Sequence, residues 1–199
     1  MLFRSVSGSM NEGTKLQDAK AAANTYLDGI PGDVLVGLIS FDSEAKVVVA
    51  PTTDRDQVRA AVDALTAQRK TALWDAILLG TQELVKAGGI GGQLVLSDGD
   101  DSVSQQTLDD VIASVSASGT ALNAVSIGGS PKAKAELSQA VGAGNGEVLD
   151  ATDSDQIVAA FQTAADATTT AVVVSAPIPA GYSGSQSVTV TARAGNLTV

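Results

Sequence analysis

The stretch Leu94-Val95-Leu96-Ser97-Asp98-Gly99-Asp100-Asp101-Ser102 decides the fold. Its apolar first half has the length and composition of a strand buried on both faces. The Ser-Asp-Gly turn then stops the strand, because Asp and Gly favour turns over ladders. Helical spacing begins at once, over residues 104–116. Strand, sharp polar turn and helix in that order make the unit from which open α/β sheets are built. Asp98 leaves the strand end first and is the residue best placed to face a crevice. Asp100 and Asp101 read as solvated, or as caps of the next helix, and Ser102 as a further cap. The three carboxylates repel one another unless spread, solvated or neutralised by a cation. A calcium loop would need a twelve-residue spacing and a closing Glu, and this stretch has neither.

Outward from this point the pattern repeats. Upstream, residues 2–6 are a short apolar start, 15–27 are helical with Thr14 as a cap, and Pro31-Gly32 turns the chain. The run Val34-Leu35-Val36-Gly37-Leu38-Ile39-Ser40-Phe41 reads as a buried strand. Residues 45–50 form an edge strand, antiparallel because no helix separates it from the strand before. Helices follow over 54–68 and 72–85, with Thr71 as cap of the second and Trp74 in its first turn. Downstream, strands at 121–127 and 147–149 alternate with helices at 131–141 and 153–167. Pro131 sits near the first turn of its helix, where proline is tolerated. The fold class is therefore α/β, an open and mostly parallel sheet with helices on both faces.

The composition changes near Thr168. Residues 171–175 and 187–192 are β-rich and flank the turn Pro177-Ile178-Pro179-Ala180-Gly181. The expected division is an α/β domain over 1–167 and a β-rich segment over 168–199, part of a β-sandwich. Two or three short strands do not make a free-standing domain.

Of 199 residues, 44% are hydrophobic and only 3% aromatic, so the core is Val, Leu, Ile and Ala. The 22 acidic and 12 basic residues give a formal charge of −10, which opposes binding to a phosphate backbone and argues against a nucleic-acid partner. The chain has no His and no Cys, which removes His-based triads, thiol nucleophiles, disulfides and the common zinc, haem and iron–sulfur ligand sets. A metal here must be held by oxygen, which points to Mg, Mn or Ca. No apolar run reaches the roughly 18 residues of a membrane span. The start Met1-Leu2-Phe3-Arg4 turns polar too soon for a signal peptide.

Three loops carry candidate chemistry. Ser5-Val6-Ser7-Gly8-Ser9-Met10 follows the first strand and offers hydroxyls at Ser7 and Ser9. Lys70-Thr71-Ala72-Leu73-Trp74-Asp75 offers Thr71. The third offers Asp98. Hydroxyls from two loops and a carboxylate from a third, at the carboxyl ends of strands, suit a six-coordinate oxygen site that keeps some water and leaves a position for a partner's acidic group.

With those residues in place, the chain resembles the von Willebrand factor type A domain family over residues 2 to about 167. That family carries a metal-ion-dependent adhesion motif: an Asp-x-Ser-x-Ser loop, a distant Thr and a later Asp at a strand end. Ser7 and Ser9 match its serines, Thr71 its threonine and Asp98 its later aspartate. Val36-Gly37-Leu38-Ile39-Ser40-Phe41 is similar to the family's second strand. The resemblance implies a Mg or Mn ion and adhesion to an acidic residue of a protein partner. It implies a bacterial protein that is extracellular or membrane-attached. It also implies aspartate at position 5, where this chain has Ser5, and a longer apolar strand than Met1–Arg4. Metal binding is expected to be weak for want of that charge, and the chain reads as a fragment or altered form of the domain.

Enzymes compete poorly. Gly88-Gly89-Ile90-Gly91-Gly92 precedes a strand, not a helix, so it is no dinucleotide fingerprint. Gly181-Tyr182-Ser183-Gly184-Ser185 fails the nucleophile-elbow pattern and has no His to activate its serine. A Mg-dependent hydrolase, or a structural module with an inactive metal site, are the alternatives. The expectation is a binding module, not an enzyme.

Overall fold

The computed structural model describes residues 2–5, 14–66, 70–88, 91–97, 100–169, 193–194 and 197–198. They fall into two compact units, Met1–Thr169 and Thr170–Val199. In the first, strands β1 (Leu2–Ser5), β2 (Val36–Phe41), β3 (Ala45–Thr52), β4 (Gly92–Ser97), β5 (Ala121–Ser126) and β6 (Val148–Asp150) form one sheet in the order β3-β2-β1-β4-β5-β6. All neighbours are parallel except β2 and β3. As expected, β3 is antiparallel and lies at an edge, since a short connection can only fold the chain straight back.

Among the described residues six helices cover the sheet: α1 (Lys15–Gly29), α2 (Arg55–Ala64), α3 (Leu73–Lys86), α4 (Leu108–Ser118), α5 (Pro131–Ala143) and α6 (Ser154–Thr169). Strand residues alternate between two cores, as a period of two demands. Val36, Leu38, Leu94, Leu96 and Val125 meet α1, α2 and α6. Ile39, Phe41, Val95, Leu122 and Ala124 meet α3, α4 and α5. The near-continuous apolar reading of β2 and β4 has this cause, because both of their faces are buried. On the first face Tyr26 and Phe161 join α1 to α6 edge-on, with ring centroids 6.1 Å apart at 88°.

Several boundaries differ from the sequence reading. Leu35 is not in the buried strand; it precedes β2 and is 50% exposed. The helix expected from residue 104 begins at Leu108, because Thr107 closes a capping box with Asp110. Thr71 is not the cap of α3: Ala72 holds that position and has no side chain able to accept. Thr14 stands at the N-cap of α1, but its hydroxyl donates to Asp18 Oδ2 at 2.6 Å and caps no backbone N–H.

In the second unit, β7 (Arg193–Ala194) and β8 (Leu197–Thr198) pair antiparallel. The strands expected at 171–175 and 187–192 lie outside the described residues.

Candidate functional site at the carboxyl edge of the sheet

The chain reverses its winding direction between β1 and β4. From β1 it steps to β2 on one side, and it returns through β4 on the other. Such a switch point opens a crevice at the strands' carboxyl ends. β1 ends at Ser5, which pairs with Phe41 of β2. Arg4 pairs with Leu96 of β4, so Ser5 and Ser97 are the next residues on adjacent central strands. Ser97 is 3% exposed and pairs with Ser126 of β5. Ser7 and Ser9, which follow Ser5, and Asp98, which follows Ser97, lie outside the described residues. β1 and β4, the strands that precede them in the sequence, end side by side.

Thr71 is held at this edge by a connection that the sequence did not reveal. It is 5% exposed. Its backbone N–H donates to Ser102 Oγ at 3.0 Å, and its carbonyl accepts from the Ser102 backbone N–H at 2.9 Å. Among the described residues its hydroxyl has no hydrogen-bond partner. The next residues are bound the same way. Asp101 Oδ1 accepts from the backbone N–H groups of Leu73 (2.8 Å) and Trp74 (3.4 Å). Ser104 Oγ accepts from those of Trp74 (3.0 Å) and Asp75 (3.2 Å), and itself donates to Asp101 Oδ1 at 2.5 Å. In return, the Asp75 carboxylate accepts from the backbone N–H groups of Gln105 (3.1 Å) and Gln106 (2.9 Å). The segments 70–75 and 101–106 therefore cap each other.

This corrects the reading of Asp101 and Ser102. Both serve the preceding helix α3 and its approach, not α4. Asp100 Oδ1 accepts from Ser130 Oγ at 2.7 Å, at the N-cap of α5. The sequence did hold a signal: Ala72 cannot cap, so the orphan N–H groups of α3 need acceptors from elsewhere. Trp74 is 6% exposed and belongs to the core against α3, α4 and α5. Beside the mutually capped segments 70–75 and 101–106 runs an open groove of about 470 Å³ lined by Glu44, Asp75, Leu78, Gln82, Gln105 and Asp110, among others. Asp110 is held below the ordinary aspartate range by the hydrogen bonds it accepts from the Thr107 hydroxyl and backbone.

The donors fit a hard divalent cation in kind. All are oxygen, and Thr71, whose backbone is bonded through both groups to Ser102, brings a hydroxyl with no competing partner among the described residues. The described residues contain no group of three or more His, Cys, Asp or Glu able to hold a metal. Asp101 and Asp75 are engaged as caps of each other's segments, accepting from the backbone N–H groups of Leu73 and Gln106.

Residues 5–100 match the von Willebrand factor type A domain family. A UPF0353 protein of Mycobacterium ulcerans is 33% identical over 96 residues, which are 46% of this chain and 29% of that protein. Another from Mycolicibacterium vanbaalenii is 31% identical over 116 residues, 52% of this chain and 35% of that one. The chain thus spans about a third of the length of the curated relatives it matches. Among solved structures, a von Willebrand factor type A protein from Catenulispora acidiphila superposes with a TM-score of 0.67 at 20% identity, covering 82% of this chain and 41% of that one. An aerotolerance-related membrane protein from Bacteroides fragilis gives 0.66 at 19%, covering 84% and 98%. The pilus adhesin SpaC of Lactobacillus rhamnosus GG gives 0.67 at 14%, covering 83% and 29%. These likenesses share the architecture seen here, and over residues 5–100 the α/β unit is similar to von Willebrand factor type A domains.

Proposed function

We propose that this domain is a protein-binding module that adheres to an acidic group of its partner through a divalent cation, Mg or Mn, at the carboxyl edge of the sheet. Ser7, Ser9, Thr71 and Asp98 would hold the ion, with Ser5 behind them in place of a carboxylate. When bound, the ion supplies positive charge and an open coordination position for the partner's carboxylate. The chain's part is to bring the hydroxyls and the carboxylate to one point and keep them there. The observation that carries this reading is the pairing of β1 with β4, which ends the strands before Ser7 and before Asp98 side by side. Electrostatics agree with it. At a net charge of −10, and beside a groove lined by Glu44, Asp75 and Asp110, this surface repels an acidic partner unless a cation intervenes.

Ser5 makes the site weak, because it lends an oxygen but no charge while the cost of dehydrating the ion is unchanged. Titration calorimetry with Mn on the wild-type chain and on Ser5→Asp tests this reading. Tighter binding after the replacement is expected; no binding by either form would refute it. An extracellular or membrane-attached setting in a bacterium is in keeping with the relatives described above as a membrane protein and a pilus adhesin. We take 1–167 as the binding domain and 168–199 as part of a β-sandwich, a reading the antiparallel pair β7–β8 supports.

A further inference from the structure

Resting on the cation-site reading, we propose that Asp101 is a positioning residue for that site: by capping α3 from the far side of β4 it sets where Thr71 stands, so that cation binding and the order of the first turn of α3 rise and fall together. The first three N–H groups of α3, at Leu73, Trp74 and Asp75, are accepted by Asp101 and Ser104. Nothing local replaces these acceptors, since Ala72 offers none. Thr71 is two residues upstream of that turn and is bonded through both backbone groups to Ser102, the neighbour of Asp101. Asp98 stands three residues before Asp101 on the same connection, within about 11 Å of fully extended chain. Thr71 is thus tied to one end of a hydrogen-bonded staple whose other end lies three residues after Asp98 in the sequence. An ion that draws Asp98 and Thr71 together tightens the staple, and a staple lost at Asp101 frees Thr71 to drift from the ion. Residues that orient metal ligands in this indirect way commonly alter affinity by about 10- to 100-fold when removed.

Trp74 reports on the staple. It is the chain's single tryptophan, it is buried, and its own N–H is shared between Asp101 and Ser104. The experiment uses the full chain with Mn alone, in wild-type and Ser5→Asp backgrounds, followed by calorimetry and tryptophan emission. In the Ser5→Asp background, Asp101→Ala is expected to weaken Mn binding about tenfold or more and to abolish the Mn-dependent change in Trp74 emission. Asp101→Asn keeps an acceptor and retains most of the affinity. Thr107→Ala removes a cap of α4 on the same connection. It is expected to lower the melting temperature while leaving Mn affinity within about twofold, as an independent site should. Should Asp101→Ala fail to fold, Ser104→Ala serves in its place, with an expected loss of about threefold. A folded Asp101→Ala, or Ser104→Ala, that binds Mn as its parent does would overturn the positioning role alone. Absence of Mn binding in both parent backgrounds would overturn the cation site and this role with it.

Discussion

The carboxylate of Asp101 accepts a hydrogen bond of 2.8 Å from the backbone N–H of Leu73, 28 residues earlier in the chain. A helix whose N-cap is the alanine Ala72 is thereby capped from another loop, and two segments of the sheet's carboxyl edge become one unit. Replacing a capping acceptor by alanine costs about 1 kcal/mol, within roughly 0.5–2. Asp101→Ala is expected to fall in that range by urea denaturation. Asp101→Asn should lose less, because its amide oxygen still accepts.

Thr107 and Asp110 make the local counterpart. The Thr107 hydroxyl accepts from the Asp110 N–H, and the Asp110 carboxylate accepts from both the Thr107 N–H and its hydroxyl. These bonds lower the pKa of Asp110 on folding. The lowered value means that its stabilising contribution is complete above the ordinary aspartate range and is lost as pH falls through the folded value. An NMR titration should therefore find the Asp110 midpoint below that of an exposed aspartate, and back near it in Thr107→Ala. An ordinary midpoint in the wild-type chain would contradict the capping box.

Glycines 32 and 146 should respond to alanine in opposite ways. A Cβ at Gly146 would overlap the carbonyl of Leu122 and crowd Asn123 Oδ1, which holds the Glu147 N–H at 3.0 Å. The expected loss is about 1–3 kcal/mol, as for overpacking elsewhere. A Cβ at Gly32 meets nothing within 4 Å. Gly32→Ala should be neutral or stabilising by up to about 1 kcal/mol, through the unfolded chain. Urea midpoints of the two variants check both.

Phe161 is the largest α6 side chain in the core, 1% exposed and edge-on to Tyr26. Phe161→Ala should cost about 3–5 kcal/mol. A much smaller loss would show that α6 contributes less to the domain than its burial implies.

The sheet was legible in the sequence because its strands are unusually plain. Val36, Leu38, Ile39 and Phe41, like Leu94, Val95 and Leu96, are apolar on both sides because both sides are covered. The absence of a helix between β2 and β3 foretold the antiparallel pair of the six-stranded sheet. Caps were less legible. Asp54 accepts from the Gln57 N–H and Ser130 from the Ala133 N–H, each three residues ahead, where a sequence shows it. Asp101 serves a helix that came before it, and no local pattern points backward across a strand. Thr71 looked like a cap for the same reason. Its type and place were right for one, but its neighbour Ala72 occupies the position. Leu35 was misplaced because hydropathy does not distinguish the last loop residue from the first strand residue.

The most direct test of the account is where a cation sits. Mn broadens the NMR signals of nearby amides, so a titration of labelled Ser5→Asp maps the site without a partner. The amides of residues 5–9, Thr71 and 97–102 should fade first, and Asp98→Ala should abolish the effect. Broadening centred elsewhere, such as on the groove at Glu44 and Asp110, or broadening that survives Asp98→Ala unchanged, would contradict it.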